Sequence, residues 1–266
     1  MNLHFKTFGT GEPLLILHGL FGTADNWQTL GKRFAKNYTV FLIDQRNHGR
    51  SPHDSVMDYP HMADDLRQFM QENWIHRAHI LGHSMGGKTA MEFALRNPDM
   101  TDRVIVVDIA PKVYPPGHEQ IFKALYSIDP AQVSDRGEAE VALSRQISDQ
   151  GIRLFLLKNL SRRKEGGFRW KMNLDSIYQN YAKILDKPSV MDPFHGESLF
   201  IRGGQSNYVE ESDEQLIKTY FPSAHLVTVP RVGHWVHAEA PDQLYQLTVD
   251  FLEDALLSNE LVKSGT

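Results

Sequence analysis

Cysteine is absent from all 266 residues. That excludes disulfides, thiolate nucleophiles and Cys-based zinc sites, and it suits a reducing compartment. No run approaches the ~20 apolar residues that span a bilayer. The opening residues, MNLHFKTFGTGEP, hold no apolar stretch of signal-peptide length. The expectation is a soluble, cytoplasmic protein without a membrane span. An excess of positive charge is missing too: 28 Lys and Arg against 33 Asp and Glu give a formal charge of −5. Such a balance supplies no broad basic field for nucleic acid or an anionic membrane, so neither is expected as a partner. Internal repeats and low-complexity tracts are also lacking.

What is present is alternation of short apolar runs with amphipathic stretches. Leu14–Leu17, Tyr38–Ile43, Ile80-Leu81, Val104–Val107, Leu199–Ile201 and Leu226–Val229 read as strands. Leu3–Phe8 reads as a half-buried strand at the start. Helical spacing runs from Asn26 to Lys36, from Pro60 to about Asn73 behind a capping Asp58, and from Pro241 onward. Strands that are apolar throughout, separated by helices, indicate a mostly parallel sheet of about seven strands covered on both faces. Pro111–Gly196 breaks the alternation, with helical patterns near 118–127, 139–148, 152–160 and 173–185 and no convincing strand. An excursion of that length is too long for a loop. The expected organisation is an α/β core of residues 1–110 and 197–266, with residues 111–196 as a helical cap over the strand ends, where open α/β sheets bind ligands.

The chain is organised around AHILGHSMGGKTAMEFAL, residues 78–95. An apolar strand passes through Gly82-His83-Ser84-Met85-Gly86 into a helix with Ala90, Phe93 and Ala94 on one face. Strand, Gly-x-Ser-x-Gly turn and helix is the context of a nucleophile elbow, which lifts a serine oxygen above the sheet and aims a helix N-terminus at developing negative charge. Outside that context the same five residues would be a glycine-rich turn. Ser84 is the candidate nucleophile. A serine nucleophile needs a base, and His234 follows the last strand in PRVGHW, where Gly233 lets the backbone bend toward the serine. His237 is the alternative base, inside a turn with Val236. His234-x-x-His237 without a Glu or a third ligand is a poor metal site.

The elbow, the His18-Gly19 turn, the Asp44-x-Arg46-x-x-Gly49-x-Ser51 loop and Gly233-His234 together resemble the α/β-hydrolase superfamily from end to end. More narrowly, HGLFG, GHSMGGK and VDIAP are similar to the small bacterial YbfF-type esterases. That resemblance implies hydrolysis of short carboxylic esters or acyl-CoA thioesters as small-molecule substrates, with no metal or organic cofactor. The chain departs from the common superfamily pattern at the acid. Where most members carry Asp after the penultimate strand, the turn reads Gly203-Gly204-Gln205-Ser206. Serine stays neutral and cannot balance an imidazolium as a carboxylate does. Asp108 ends the strand after the elbow helix and keeps the chain order Ser, Asp, His. The resembling subfamily places its acid there, with the serine in support. The bland alternatives are a turn or capping aspartate at 108 and a plain turn serine at 206. Glu210, Glu211 and Asp213 are fallback acids that also suit the start of the next helix.

The oxyanion needs two preorganised N–H donors, each often worth ~3 kcal/mol. Met85 is expected to supply one and Leu20 the other, with Phe21 second to Leu20. Asp44, Arg46 and Ser51 read as a structural polar loop. Arg162-Arg163-Lys164 either meets the phosphates of CoA or is solvated. Tyr114, Phe122, Tyr126, Trp170 and Tyr178 either line an acyl pocket or form ordinary core. Two rivals remain: a proton-transfer elimination like that of the menaquinone-pathway SHCHC synthase, using the same Ser and His, and a non-catalytic binding protein on the same fold.

Overall fold

The apolar runs pair into one seven-stranded sheet in the order β1-β3-β2-β4-β5-β8-β9. A computed structural model describes residues 1–254; residues 255–266, the end of the region assigned to the core, lie outside the described residues. The strands before the insertion are β1 (Phe5–Phe8), β2 (Glu12–Leu17), β3 (Tyr38–Ile43), β4 (Ala78–His83) and β5 (Thr101–Val107). A short hairpin, β6 (Leu160–Arg162) and β7 (Phe168–Trp170), lies apart from the sheet, which β8 (Ser198–Gly203) and β9 (Ala224–Val229) complete. Within the seven-stranded sheet only β1 runs antiparallel to its neighbour.

Successive residues of β2 show how the sheet is covered. Leu14 and Ile16 pack with α1 (Gln28–Phe34) on one face, and Leu15 and Leu17 pack with α2 (Tyr59–Glu72) and α3 (Met85–Arg96) on the other. Period-two alternation thus feeds two separate apolar layers, so a buried strand needs no polar side. Asp58 caps α2 by accepting from the His61 N–H at 3.0 Å, with Pro60 in the first turn.

Between β5 and β8 the chain forms α4 (Glu119–Tyr126), α5 (Arg136–Ser144), α6 (Gln150–Leu157), α7 (Leu174–Gln179) and α8 (Tyr181–Leu185). The single helix expected near 173–185 is two, divided at Asn180, whose side-chain amide donates to the carbonyls of Ser55 and Ser176. The absence of strands expected in this region is corrected by the β6–β7 hairpin. Each of its strands has three residues, too few for an alternation to register, and Gly166 and Gly167 turn between them at φ 100° and 67°. The insertion's apolar side chains, among them Phe122, Leu156 and Ile177, form a third cluster that also takes in Phe21, Met62 and Met85 of the sheet region. The described residues then continue through α9 (Glu214–Tyr220), α10 (Val236–Glu239) and α11 (Pro241–Leu252). Among the described residues no helix is long and apolar enough to cross a membrane.

Candidate active site

His83, the last residue of β4, is in register with Val107, the last of β5. The next residue of each strand, Ser84 and Asp108, therefore leaves the sheet beside the other. Both take backbone conformations that L residues seldom adopt, φ 53° and φ 51°, and Phe21 opposite has φ 60°. Strain of this kind persists only where the surroundings over-determine it. Here the Ser84 N–H donates to the Val107 carbonyl at 3.0 Å and the Asp108 N–H to that of Ile201 at 2.8 Å. A side chain at Gly82 would collide with the Gly86 backbone, and one at Gly86 with the carbonyls of Leu17 and His18. The turn closes only because both positions are glycine.

The loop after β9 brings His234 to the same place. Its Nε2 lies 3.1 Å from Ser84 Oγ and its Nδ1 2.8 Å from Asp108 Oδ2. Asp108 is fully buried. Its Oδ1 accepts the Gly203 N–H at 2.8 Å, and its Oδ2 also accepts a short hydrogen bond from the Ser206 hydroxyl. A carboxylate with that many donors is held in one orientation, and it fixes the imidazole with a proton on Nδ1 and a lone pair toward Ser84. Tyr208 lies flat on the other side of the imidazole, with centroids 3.8 Å apart. His83 fixes the loop from behind by donating from Nε2 to the His234 carbonyl at 2.8 Å. Burial pulls the His83 imidazole far below its ordinary range, which keeps it neutral.

The His18-Gly19 turn forms the facing wall. His18 Nδ1–H donates to the Gly19 carbonyl at 2.8 Å, and its Nε2 accepts the Gln45 N–H at 3.0 Å. His48 has the same tautomer: Nδ1–H donates to Arg46, and Nε2 accepts the Phe21 N–H at 3.2 Å. Burial holds these rings neutral, with pKa values pushed down to about 4 and about 3. Phe21's N–H is thus committed to His48. Leu20 and Ser84 line both cavities that meet at the site. One is a narrow cavity of about 50 Å³ toward Trp27 and Phe155. The other measures about 250 Å³ and runs toward Tyr59, Ile109 and Tyr114.

A family model described as alpha/beta hydrolase fold matches residues 12–241. The chain belongs to the α/β-hydrolase fold family. Among its relatives, the sn-1-specific diacylglycerol lipase ABHD11 of Mus musculus is 38% identical over 91% of this chain and 81% of its own. Esterase YbfF of Escherichia coli is 34% identical over 91% of this chain and 94% of its own. A solved structure described as a marine microorganism esterase superposes with a TM-score of 0.92 at 45% identity, covering 94% of this chain and 99% of that one. With such relatives this α/β-hydrolase is an enzyme that hydrolyses esters.

Other residues singled out from the sequence fall elsewhere in the hydrolase. Asp44 accepts from the N–H groups of Ala24 and Arg50, and Ser51 donates to the Asp44 carbonyl. Arg46 forms a two-pronged ion pair with buried Asp65 at 2.6 and 2.9 Å. This is a polar network beneath the site. Asp213 caps the turn at Glu210 and binds Lys112, away from His234. His237 stacks on Trp27 with centroids 4.7 Å apart, and burial pulls its pKa down to about 3. Of the five aromatics expected to line a pocket or form core, Tyr114 alone lines either cavity. Phe122 is core, whereas Tyr126 and Tyr178 are exposed. Arg162 lies over the Phe168 ring, 5.2 Å from its centroid.

Sequence reasoning missed three side chains. Tyr208 carried no signal, since its partner lies 26 residues on in another loop. His118, which lines both cavities, follows a Pro-Pro-Gly turn that marks a loop and nothing more. Lys88 lies within the GHSMGGK string, which carries no sign of what its side chain does. Buried on α3, its ammonium donates to the carbonyls of Lys112 at 2.9 Å and Leu185 at 3.0 Å, and also to Asp186. It ties together the two ends of the insertion.

Proposed function

We propose that this enzyme hydrolyses carboxylic esters through an acyl-enzyme on Ser84. The reading rests on one observation: the unbroken hydrogen-bonded chain Ser84–His234–Asp108, closed behind by Ser206. His234 Nε2 takes the hydroxyl proton as Ser84 Oγ bonds to the acyl carbon. The oxyanion is held by the N–H groups of Leu20 and Met85, the latter at the N-terminus of α3. Asp108 stabilises the imidazolium that forms and keeps its own charge. The imidazolium then protonates the departing alcohol as the bond between carbon and leaving oxygen breaks. Water, deprotonated by the same histidine, attacks the acyl-enzyme, and the free acid leaves with Ser84 restored. A thioester follows the same course with a thiol as the leaving group. Ser206 supports Asp108 by donating to it and takes no proton. Residues 111–196 act as a cap that supplies much of the walls of both cavities.

The test is hydrolysis of p-nitrophenyl butyrate and butyryl-CoA together with labelling by a fluorophosphonate. Wild type is expected to turn over the ester and to take one label on Ser84, and Ser84→Ala to do neither. Labelling without ester turnover would favour the elimination reading, which shares Ser84 and His234. Absence of both would leave a binding protein.

A further inference from the structure

His118 stands at the start of α4, and with Leu20 and Ser84 it is one of three residues lining both cavities. It is therefore a side chain of the insertion placed at the seam between the two cavities. Its hydrogen bonds determine where its proton lies. The Tyr181 hydroxyl accepts from the N–H groups of Gly117 and His118, each at 3.2 Å, and lies 2.6 Å from His118 Nδ1. A phenol oxygen has two lone pairs and one proton. With both lone pairs engaged, Tyr181 donates its O–H to Nδ1. Nδ1 is then the acceptor, and a neutral His118 carries its proton on Nε2. Burial pulls the imidazole down to about 4, and the neighbouring His234 adds to the effect. The ring stays neutral at working pH and resists protonation further when His234 becomes cationic. Among the described residues Nε2–H has no hydrogen-bond partner. Aromatic edges of Phe21 and Tyr181 flank the ring, so its orientation is fixed without using that donor.

We propose that His118 is a specificity-determining donor, whose Nε2–H binds a second oxygen acceptor close to the scissile carbonyl of the substrate. The preferred substrates are then esters carrying an ether, hydroxyl or further ester oxygen within a few bonds of the reacting carbon, rather than purely hydrocarbon esters. Tyr181 is the positioning residue that holds the proton on Nε2. This inference rests on Ser84 as nucleophile, because the seam matters only if the reacting carbon sits there.

The experiment compares matched ester pairs that differ by one oxygen for one methylene. 2-Methoxyethyl butyrate against n-butyl butyrate places the acceptor in the alcohol half. Propyl methoxyacetate against propyl butyrate places it in the acyl half. Wild type, His118→Phe, His118→Gln and Tyr181→Phe are assayed for kcat/KM, and each is also titrated with a fluorophosphonate. A neutral hydrogen bond corresponds to roughly a three- to tenfold effect. For one pair, His118→Phe is expected to lose that factor more on the oxygen-bearing ester than on its hydrocarbon partner. His118→Gln, which keeps an N–H donor, is expected to recover part of it, and Tyr181→Phe to lose part of it. The pair that responds identifies which half carries the acceptor. Equal losses on both members of both pairs, with labelling of Ser84 intact, overturn the proposal and make His118 a packing residue. A wild type that takes no label on Ser84 instead overturns the reading beneath it.

Discussion

Tyr208 and His234 form a face-to-face stack, with ring planes 17° apart and centroids at 3.8 Å. The imidazole is gripped at its edge by Asp108 and over one face by the phenol, so it cannot swing away from Ser84 without breaking both contacts. Aromatic pairs add roughly 0.5–1.5 kcal/mol beyond area burial. Tyr208→Ala is expected to lower kcat on p-nitrophenyl butyrate by about tenfold, and Tyr208→Phe to stay near wild type. Equal activity of all three would show that Asp108 alone orients the ring.

Asp108 and Ser206 are expected to differ sharply in weight. Asp108→Asn replaces an acceptor by a group that cannot balance the imidazolium, and the precedent for such a change is a loss of about 10⁴ in kcat. Ser206→Ala removes one of several donors to a carboxylate that keeps the Gly203 N–H and His234. A fall of about tenfold or less is expected. The two variants assayed side by side check the assignment, and an active Asp108→Asn would move the acid elsewhere.

Acid should weaken the fold before it titrates the carboxylates. His18, His48, His118 and His237 are pushed from an ordinary 6.5 down to between about 3 and about 4, with burial the main cause in each. Below 6.5 the unfolded chain binds protons that the folded chain does not. The stability these rings contribute is therefore fully present above pH 6.5 and lost as the pH falls toward 4 and below. Urea midpoints measured from pH 7.5 to pH 5.0 are expected to decline steadily. His237→Phe, which keeps an aromatic ring against Trp27, should make the decline shallower.

Removing the Lys88 ammonium should loosen the neck of the insertion. Lys88→Met keeps the length of the side chain and strips a donor from the carbonyls of Lys112, Leu185 and Asp186. A fully buried carbonyl without a partner costs about 1–3 kcal/mol, and these partly buried ones should cost less each. A lower denaturation midpoint and faster proteolysis near residues 112–117 are expected. An unchanged midpoint would mean that the cost of burying the charge had offset its bonds.

The places of the main strands along the chain were legible because each holds an apolar run, as Leu14–Leu17 and Val104–Val107 show, while strands such as β4 and β5 extend past the run into residues without that signal. Ser84, Asp108 and His234 could be singled out because each stands directly past or shortly after such a run, and parallel strands deliver their ends to one edge. The insertion was harder. Its hairpin strands are three residues long, and the break at Asn180 depends on a side-chain bond to Ser55, distant in sequence. The roles of Tyr208, His118 and Lys88 depend on partners 24 to 98 residues away. Local pattern carries no record of such pairings.

The insertion leaves and rejoins the core at almost one point: the Tyr114 N–H bonds the Leu185 carbonyl at 2.9 Å, directly beneath Lys88. A segment whose two ends already touch asks little of the scaffold that carries it. The whole stretch from 114 to 185 is thus threaded through one junction, and its further ties to the core include the side-chain bonds of Asn180 to Ser55 and Asn159 to Phe21. A replacement spliced at that junction would leave the ends of β5 and β8 where they are but would have to cover Phe21, Met62 and Met85, so new substrate shapes can enter this fold by transplantation only with an apolar underside.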